Sequence, residues 1–199
     1  MVSRALLPAL RARLAGSSTS RLAEEAAERA AVAVILLPRA DMLEVLLIRR
    51  ADRPGDHWSG HMAFPGGRRS ADDRDLLATA IRETKEEVGL DLTTSGELLG
   101  ALEAVPAVAR GKKTGMVVAP YVFVLHEEPV LSPNHEVVEV LWGRLASMID
   151  GSIDTTIDYA HEGVSIALPG YLVGERIVWG LTHRMLGLLF DEIRQCAMA

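Results

Sequence analysis

Leu76-Leu77-Ala78-Thr79-Ala80-Ile81-Arg82-Glu83-Thr84-Lys85-Glu86-Glu87-Val88-Gly89 is the stretch on which the fold turns. It predicts a helix from about Leu76 to Val88, stopped by Gly89 as a C-terminal cap, and Asp72, Asp73 or Asp75 can cap its start. On a helical wheel Leu77, Ile81, Thr84 and Val88 form one narrow, mainly apolar stripe, and Glu83, Glu86 and Glu87 fall together on the opposite side. A helix with one apolar face must lie on something, and the runs on either side read as strands. Ala30–Leu37 is rich in Val, Ile and Leu, Leu43–Ile48 matches it, and Pro38-Arg39-Ala40-Asp41 between them makes a hairpin.

Downstream, Leu98–Val105, Met116–Leu125 and Val137–Trp142 read as strands, with a polar loop over Ala107–Gly115. Leu145–Ile149 reads as a helical turn, an irregular stretch follows, and Leu181–Cys196 is an amphipathic helix with Leu181, Met185, Leu188 and Leu189 inward. Strands and helices alternate without a regular βαβ rhythm, which predicts an α/β fold: an α/β/α layering of helices on a mixed β-sheet. Residues 1–29 read as a helical extension and 30–199 as the main domain. In Met1–Leu22 four arginines and no acid resemble an organellar transit peptide. The preferred reading is a surface helix with Leu6, Leu10 and Leu14 along one face, followed by a short helix over Leu22–Arg29.

Composition narrows the function. The 199 residues are 49% hydrophobic, enough for a real core, and the formal charge of −6 argues against non-specific binding to nucleic acid or an anionic membrane. A single cysteine, Cys196, rules out an internal disulfide and a Cys-rich zinc site, so a metal here is held by oxygen or imidazole. No apolar run approaches the roughly 20 residues that span a bilayer. The expectation is an acidic, soluble, cytoplasmic protein.

Three carboxylates on one helix face repel, and a divalent cation reverses that sign. With no Cys or His among them, Glu83, Glu86 and Glu87 suit Mg²⁺ or Mn²⁺, although a charge run alone is more often a solvated face. The loop upstream shifts the balance. In Phe64-Pro65-Gly66-Gly67-Arg68-Arg69 the paired glycines allow backbone groups close to a ligand, and Arg68 and Arg69 can meet phosphate oxygens. A glycine loop, basic residues and an acidic helix together point to a metal–phosphate site.

Gly67 with Arg82-Glu83-Thr84-Lys85-Glu86-Glu87-Val88-Gly89-Leu90 resembles the Nudix box, G-x5-E-x7-R-E-U-x-E-E-x-G-U, with Thr84 at an apolar position U. The interval from Gly67 to Arg82 is one residue longer than the general pattern. No glutamate stands at the middle position, where Arg74 and Asp75 lie, a loss that bears on the bracing of helix and loop more than on metal binding. The resemblance implies a Nudix-like sandwich and a hydrolase that attacks a diphosphate bridge with metal-activated water. It implies Glu86 and Glu87 as metal ligands, Glu83 as ligand or base, a carbonyl ligand from the Gly66–Gly67 region, and Arg82 holding the glutamates. A further carboxylate from a downstream loop often completes such sites as ligand or base, and Glu136 is the candidate. Catalytic roles therefore fall on Glu83, Glu87 and Glu136, and metal binding on Gly67, Glu83, Glu86 and Glu87.

Leu46-Leu47-Ile48-Arg49-Arg50-Ala51, with Gly60 and Phe64-Pro65-Gly66-Gly67, is similar to the upstream signature of the coenzyme A pyrophosphatase subfamily, as is Val178-Trp179-Gly180-Leu181-Thr182. Ile48 replaces a threonine, one extra residue separates Ala51 from Gly60, and Gly55 or Asp56 stands where that signature has a second arginine. The resemblance implies coenzyme A or its thioesters as a small-molecule nucleotide diphosphate substrate, with Arg50, Arg68 and Arg69 for its phosphates. It also leaves a homodimer open, with the N-terminal helices available to build it. The alternatives are a Nudix pyrophosphatase for ADP-ribose, a dinucleotide or a nucleoside triphosphate, and a catalytically silent nucleotide-binding module. His57 and Trp58 can stack on an adenine but read first as loop anchors, and His61 reads as a hydrogen-bonded loop histidine. Lys112 and Lys113 read as solvated, and Trp142 and Trp179 as packing residues.

Overall fold

Strand β1 (Glu28–Arg39) divides the core, because successive side chains of a strand point to opposite faces. Val32, Val34 and Leu36 belong to one apolar cluster, while Ala31, Ala33, Ile35 and Leu37 belong to another. The computed structural model describes residues 4–17, 26–56, 58–109, 112–161 and 164–198. Within them β1 pairs antiparallel with β2 (Met42–Arg50), and Ala40, at φ 50°, turns the chain between the two strands. On its other edge β1 runs parallel to β7 (Lys112–Leu125), with Ala31 opposite Ala119.

The remaining strands of this mixed sheet are β3 (Met62–Ala63), β4 (Gly66–Arg68), β5 (Gly96–Ala101), β6 (Val105–Ala109) and β8 (Val137–Arg144). Helix α2 (Leu76–Val88) covers the Ala31/Ala33 face. Helices α1 (Leu7–Leu14) and α5 (Gly180–Met198) cover the Val32/Val34 face. The chain is thus an α/β sandwich around a mixed sheet, as the pattern of strands and helices predicts. Short helices α3 (Leu92–Ser95) and α4 (Leu145–Ile149) join strands.

Several sequence expectations change. The strand read over Leu98–Val105 is two strands, β5 and β6, both antiparallel to β7, and the polar loop over 107–115 is the β6–β7 hairpin. Buried Val105 and Ala107 carry the alternation into that loop, and Thr114 Oγ1 donates to the Ala107 carbonyl across it. The irregular stretch after Ile149 is a second, three-stranded antiparallel sheet of β9 (Asp154–His161), β10 (Val164–Val173) and β11 (Arg176–Trp179). In α1 the buried residues are Leu7, Leu10 and Leu14, not Leu6, and Arg11 ties the helix to Glu97 at 2.6 Å. The helix read over 22–29 falls mostly outside the described residues, and Glu28 and Arg29 open β1 instead. Among the described residues no helix is long and apolar enough to cross a membrane.

Candidate active site

Helix α2 is set by its ends. Asp75 is the N-cap, its carboxylate accepting the Ala78 N–H at 2.7 Å, and Gly89 closes the helix at φ 73°. Its buried residues are Leu76, Thr79, Ala80, Thr84, Glu87 and Val88, with Leu77 and Ile81 only partly covered. The buried stripe is therefore rotated from the one read on the wheel. Thr84 is tolerated there because its hydroxyl donates to the Ala80 carbonyl at 2.7 Å.

That rotation separates the three glutamates. Glu86 stays exposed, with 55% of its side chain accessible, while only 2% of Glu87 is. One Glu87 oxygen accepts the Gly66 N–H at 2.8 Å and the other lies 3.9 Å from Arg50. Burial, reinforced by the charges of Glu83 and Glu136, pushes the Glu87 carboxyl up to about 7 despite the Gly66 amide and Arg50. Burial also raises Glu83, against the pull of Arg82. Glu136 sits just before β8, near enough for its charge to act on both, and pairs with Arg53 at 2.6 Å.

The paired glycines are required by space. β4 lies antiparallel to β1, with Gly66 opposite Val32 and Gly67 opposite Ala31. A Cβ on Gly66 would fall 2.6 Å from the Val32 Cα, and one on Gly67 would fall 2.6 Å from each carboxylate oxygen of Glu83. Glycine at 67 is what lets an acidic group rest directly on strand backbone.

Arg82 is the hub of the acidic group. Its Nε and Nη2 form a bidentate pair with Asp73, both at 2.9 Å, and its Nη1 donates to Glu83 at 2.8 Å and Glu86 at 3.0 Å. Asp73 also accepts from the Ser70 amide and the Thr79 hydroxyl, and Arg82 above all holds it well below the usual carboxylate range. So the helix and loop are braced, by an aspartate that sequence reasoning missed. Five residues separate Gly67 from Asp73, the interval at which the motif sets its acid, whereas counting back from Arg82 lands on Arg74. The extra residue lies between Asp73 and the helix.

Glu83, Glu86, Glu87, Glu136, Gly67, Arg50 and Arg68 all line one cleft of about 780 Å³. Arg69 is not among its lining residues; its guanidinium donates to the Asp73 carbonyl at 2.7 Å and braces the loop. Arg50 pairs with Asp56 at 2.8 Å, so the residue standing where a second arginine was expected holds the first one in place. Arg53 lines the cleft three residues earlier. Trp58, His61 and Trp179 line it as well, so Trp179 is more than a packing residue, whereas Trp142 stacks under Arg39 at 5.3 Å. His57 and the side chains of Lys112 and Lys113 lie outside the described residues.

The donors are all oxygens: carboxylates at Glu83, Glu86 and Glu87, and backbone at Gly67. That set, with two carboxylates whose charge is penalised by burial and a strand surface cleared of side chain under Glu83, fits a hard divalent cation. The carboxylates are turned to Arg82, Arg50 and the Gly66 amide, and among the described residues no three acidic or histidine side chains form a ready-made metal cluster.

Residues 27–158 match the family described as NUDIX domain. The chain is similar to the Mus musculus mitochondrial coenzyme A diphosphatase NUDT8, 32% identical over 170 residues that cover 85% of this chain and 79% of that one. An uncharacterized protein of Schizosaccharomyces pombe is 40% identical over 124 residues, which are 61% of this chain but only 38% of that protein's length. Among solved structures, a C. elegans Ap4A hydrolase in a binary complex superposes with a TM-score of 0.52 at 26% identity, covering 62% of this chain and 84% of that one.

Proposed function

The chain belongs to the Nudix hydrolase family and acts on a phosphoric anhydride, and we propose that the anhydride is the diphosphate of coenzyme A or one of its thioesters. Water adds to one phosphorus and the P–O–P bridge breaks, giving adenosine 3′,5′-bisphosphate and a 4′-phosphopantetheine product. The observation that carries this reading is the two-sided character of the cleft. Its acidic and arginine residues are continuous with an apolar wall of Met62, Phe64, Met116, Val118 and Met185, suited to a diphosphate that bears a long, weakly polar arm. The similarity to a coenzyme A diphosphatase supports it.

Nudix hydrolases need a divalent cation, and here Glu83, Glu86, Glu87 and the Gly67 backbone would hold Mg²⁺ or Mn²⁺. When bound, the cation neutralises developing phosphate charge and acidifies water. The protein's own residues do the rest. Arg82, anchored on Asp73, fixes the Glu83 and Glu86 carboxylates. Arg50 and Arg68 offer guanidinium forks to the phosphates. Glu136, with a third of its side chain accessible, is placed to take a proton from the attacking water.

The test is product analysis by chromatography and mass spectrometry after incubation of coenzyme A with enzyme and Mg²⁺ or Mn²⁺, beside ADP-ribose, dinucleotides and nucleoside triphosphates. Metal-dependent release of adenosine 3′,5′-bisphosphate, preferred over the panel, is the expected result. Turnover of a panel member alone would move the substrate, and bound nucleotide without turnover of any would leave a binding module.

A further inference from the structure

Trp179 ends β11 and lies beyond the residues matched by the family, 27–158, yet it lines the same cleft as the glutamates. Its ring centroid is 4.5 Å from that of His61, tilted by 47°, and Tyr159 of β9 backs it at 5.6 Å. The second sheet thus brings Trp179 against His61 from the loop before β3, and the two rings meet in the cleft beside Trp58 and Phe64. Burial and the nearby Arg50 charge lower the His61 pKa, with Asp56 opposing, which favours the neutral ring.

The pair and the acidic residues line the same cleft. Arg50 is close enough for its charge to act on His61, and the same guanidinium lies 3.9 Å from Glu87. Arg50, which lines the same cleft, thus acts on both the imidazole and the carboxylate. The methionines of the cleft offer no ring plane of their own.

We propose that Trp179 and His61 form the platform on which the aromatic base of the substrate stacks, so that the second sheet sets which end of the substrate faces β11. This rests on the nucleotide-diphosphate reading above, and goes beyond it in assigning the base its place. Base–aromatic stacking is sequence-tolerant and strong enough that loss of the ring weakens binding by roughly ten-fold.

The experiment is titration of the full chain in Mg²⁺ with AMP, ribose 5-phosphate and 4′-phosphopantetheine, none of which carries a diphosphate. Affinities come from calorimetry, and tryptophan emission is read alongside. AMP is expected to quench emission and to bind Trp179→Leu roughly ten-fold more weakly, with ribose 5-phosphate affinity unchanged and Trp179→Phe restoring AMP affinity. His61→Ala gives a second, independent loss should Trp179→Leu misfold. Wild-type AMP affinity in both variants, or an equal loss for ribose 5-phosphate, overturns the proposal. So does a Trp179-dependent response to 4′-phosphopantetheine in place of AMP, even if coenzyme A is hydrolysed. AMP stacking without coenzyme A turnover would instead sink only the choice of substrate.

Discussion

Replacing Glu87 by glutamine should make the metal-free protein more stable while removing its activity. The wild-type carboxyl is almost wholly buried and its pKa is displaced from an ordinary 4.5 to about 7. That displacement is on the order of 3 kcal/mol of penalty on the charged form. A carboxyl raised in the folded state favours folding fully below pH 4.5, and this advantage is lost as the pH climbs through about 7. Glutamine keeps an oxygen for the Gly66 N–H and carries no charge, while Arg50 retains Asp56 at 2.8 Å. In chelator at pH 8, Glu87→Gln should therefore gain about 3 kcal/mol, a Tm increase of roughly 6–12 °C for a chain of this size. At pH 5 the gap should shrink below about 1 kcal/mol. Thermal unfolding of both proteins at the two pH values, in EDTA, is the measurement. A Glu87→Gln protein that is no more stable than wild type at pH 8 would refute the claim that this charge is buried at a cost.

Glu86→Gln, at an exposed position, should lose about a hundred-fold or more in turnover yet hold its stability within about 0.5 kcal/mol; wild-type rate would remove Glu86 from the metal site. Gly67→Ala should displace the Glu83 carboxylate and weaken Mn²⁺ binding, read by electron paramagnetic resonance, by roughly ten- to a hundred-fold, and unchanged affinity would mean that the contact is not needed. Asp73→Asn should unfasten Arg82 and destabilise the protein by about 3 kcal/mol. Because Asp73 is depressed rather than raised, that difference should persist from pH 8 to pH 5 and close only as the pH falls below about 3.8. A gap that closes already at pH 6 in denaturant melts would show that the pair is not the cause.

The sandwich was legible because its central elements are strongly periodic. The helix over 76–88 and the hairpin through Pro38 stand where their apolar spacing and punctuation put them. The second sheet was not, because β9 alternates between exposed and half-buried residues from Asp154 to Ala160, with none of these fully buried, so it leaves no apolar signature. At the site, residue types and loop composition pointed to Glu83, Glu87 and Gly67, and the family resemblance to Arg50, and the fold brings all four to one cleft. What sequence could not supply was rotation and partnership. Helix phase decides that Glu87 is buried and Glu86 is not. One inserted residue hid Asp73 behind Arg74, and Arg69 looks like a phosphate ligand until its bond to the Asp73 carbonyl is seen. Trp179 is far from the glutamates in sequence, and only the β11–β3 contact places it near them.

Glycines commonly make a segment pliable, but here Gly66 and Gly67 are strand residues paired with β1, eight of whose twelve residues are buried. Ala33 takes the Pro65 carbonyl, Arg69 takes that of Arg29, and the two glycines face Ala31 and Val32. The glycine floor of the site cannot breathe without parting the sheet itself, so its amide protons should exchange with solvent on the slow clock of the core. Facing it, the other wall is held by ion pairs instead: Arg50, at the end of β2, lies 3.9 Å from Glu87, and Arg53, in the loop that follows, pairs with Glu136. One wall of the cleft is fastened by backbone ladder, the other by charge.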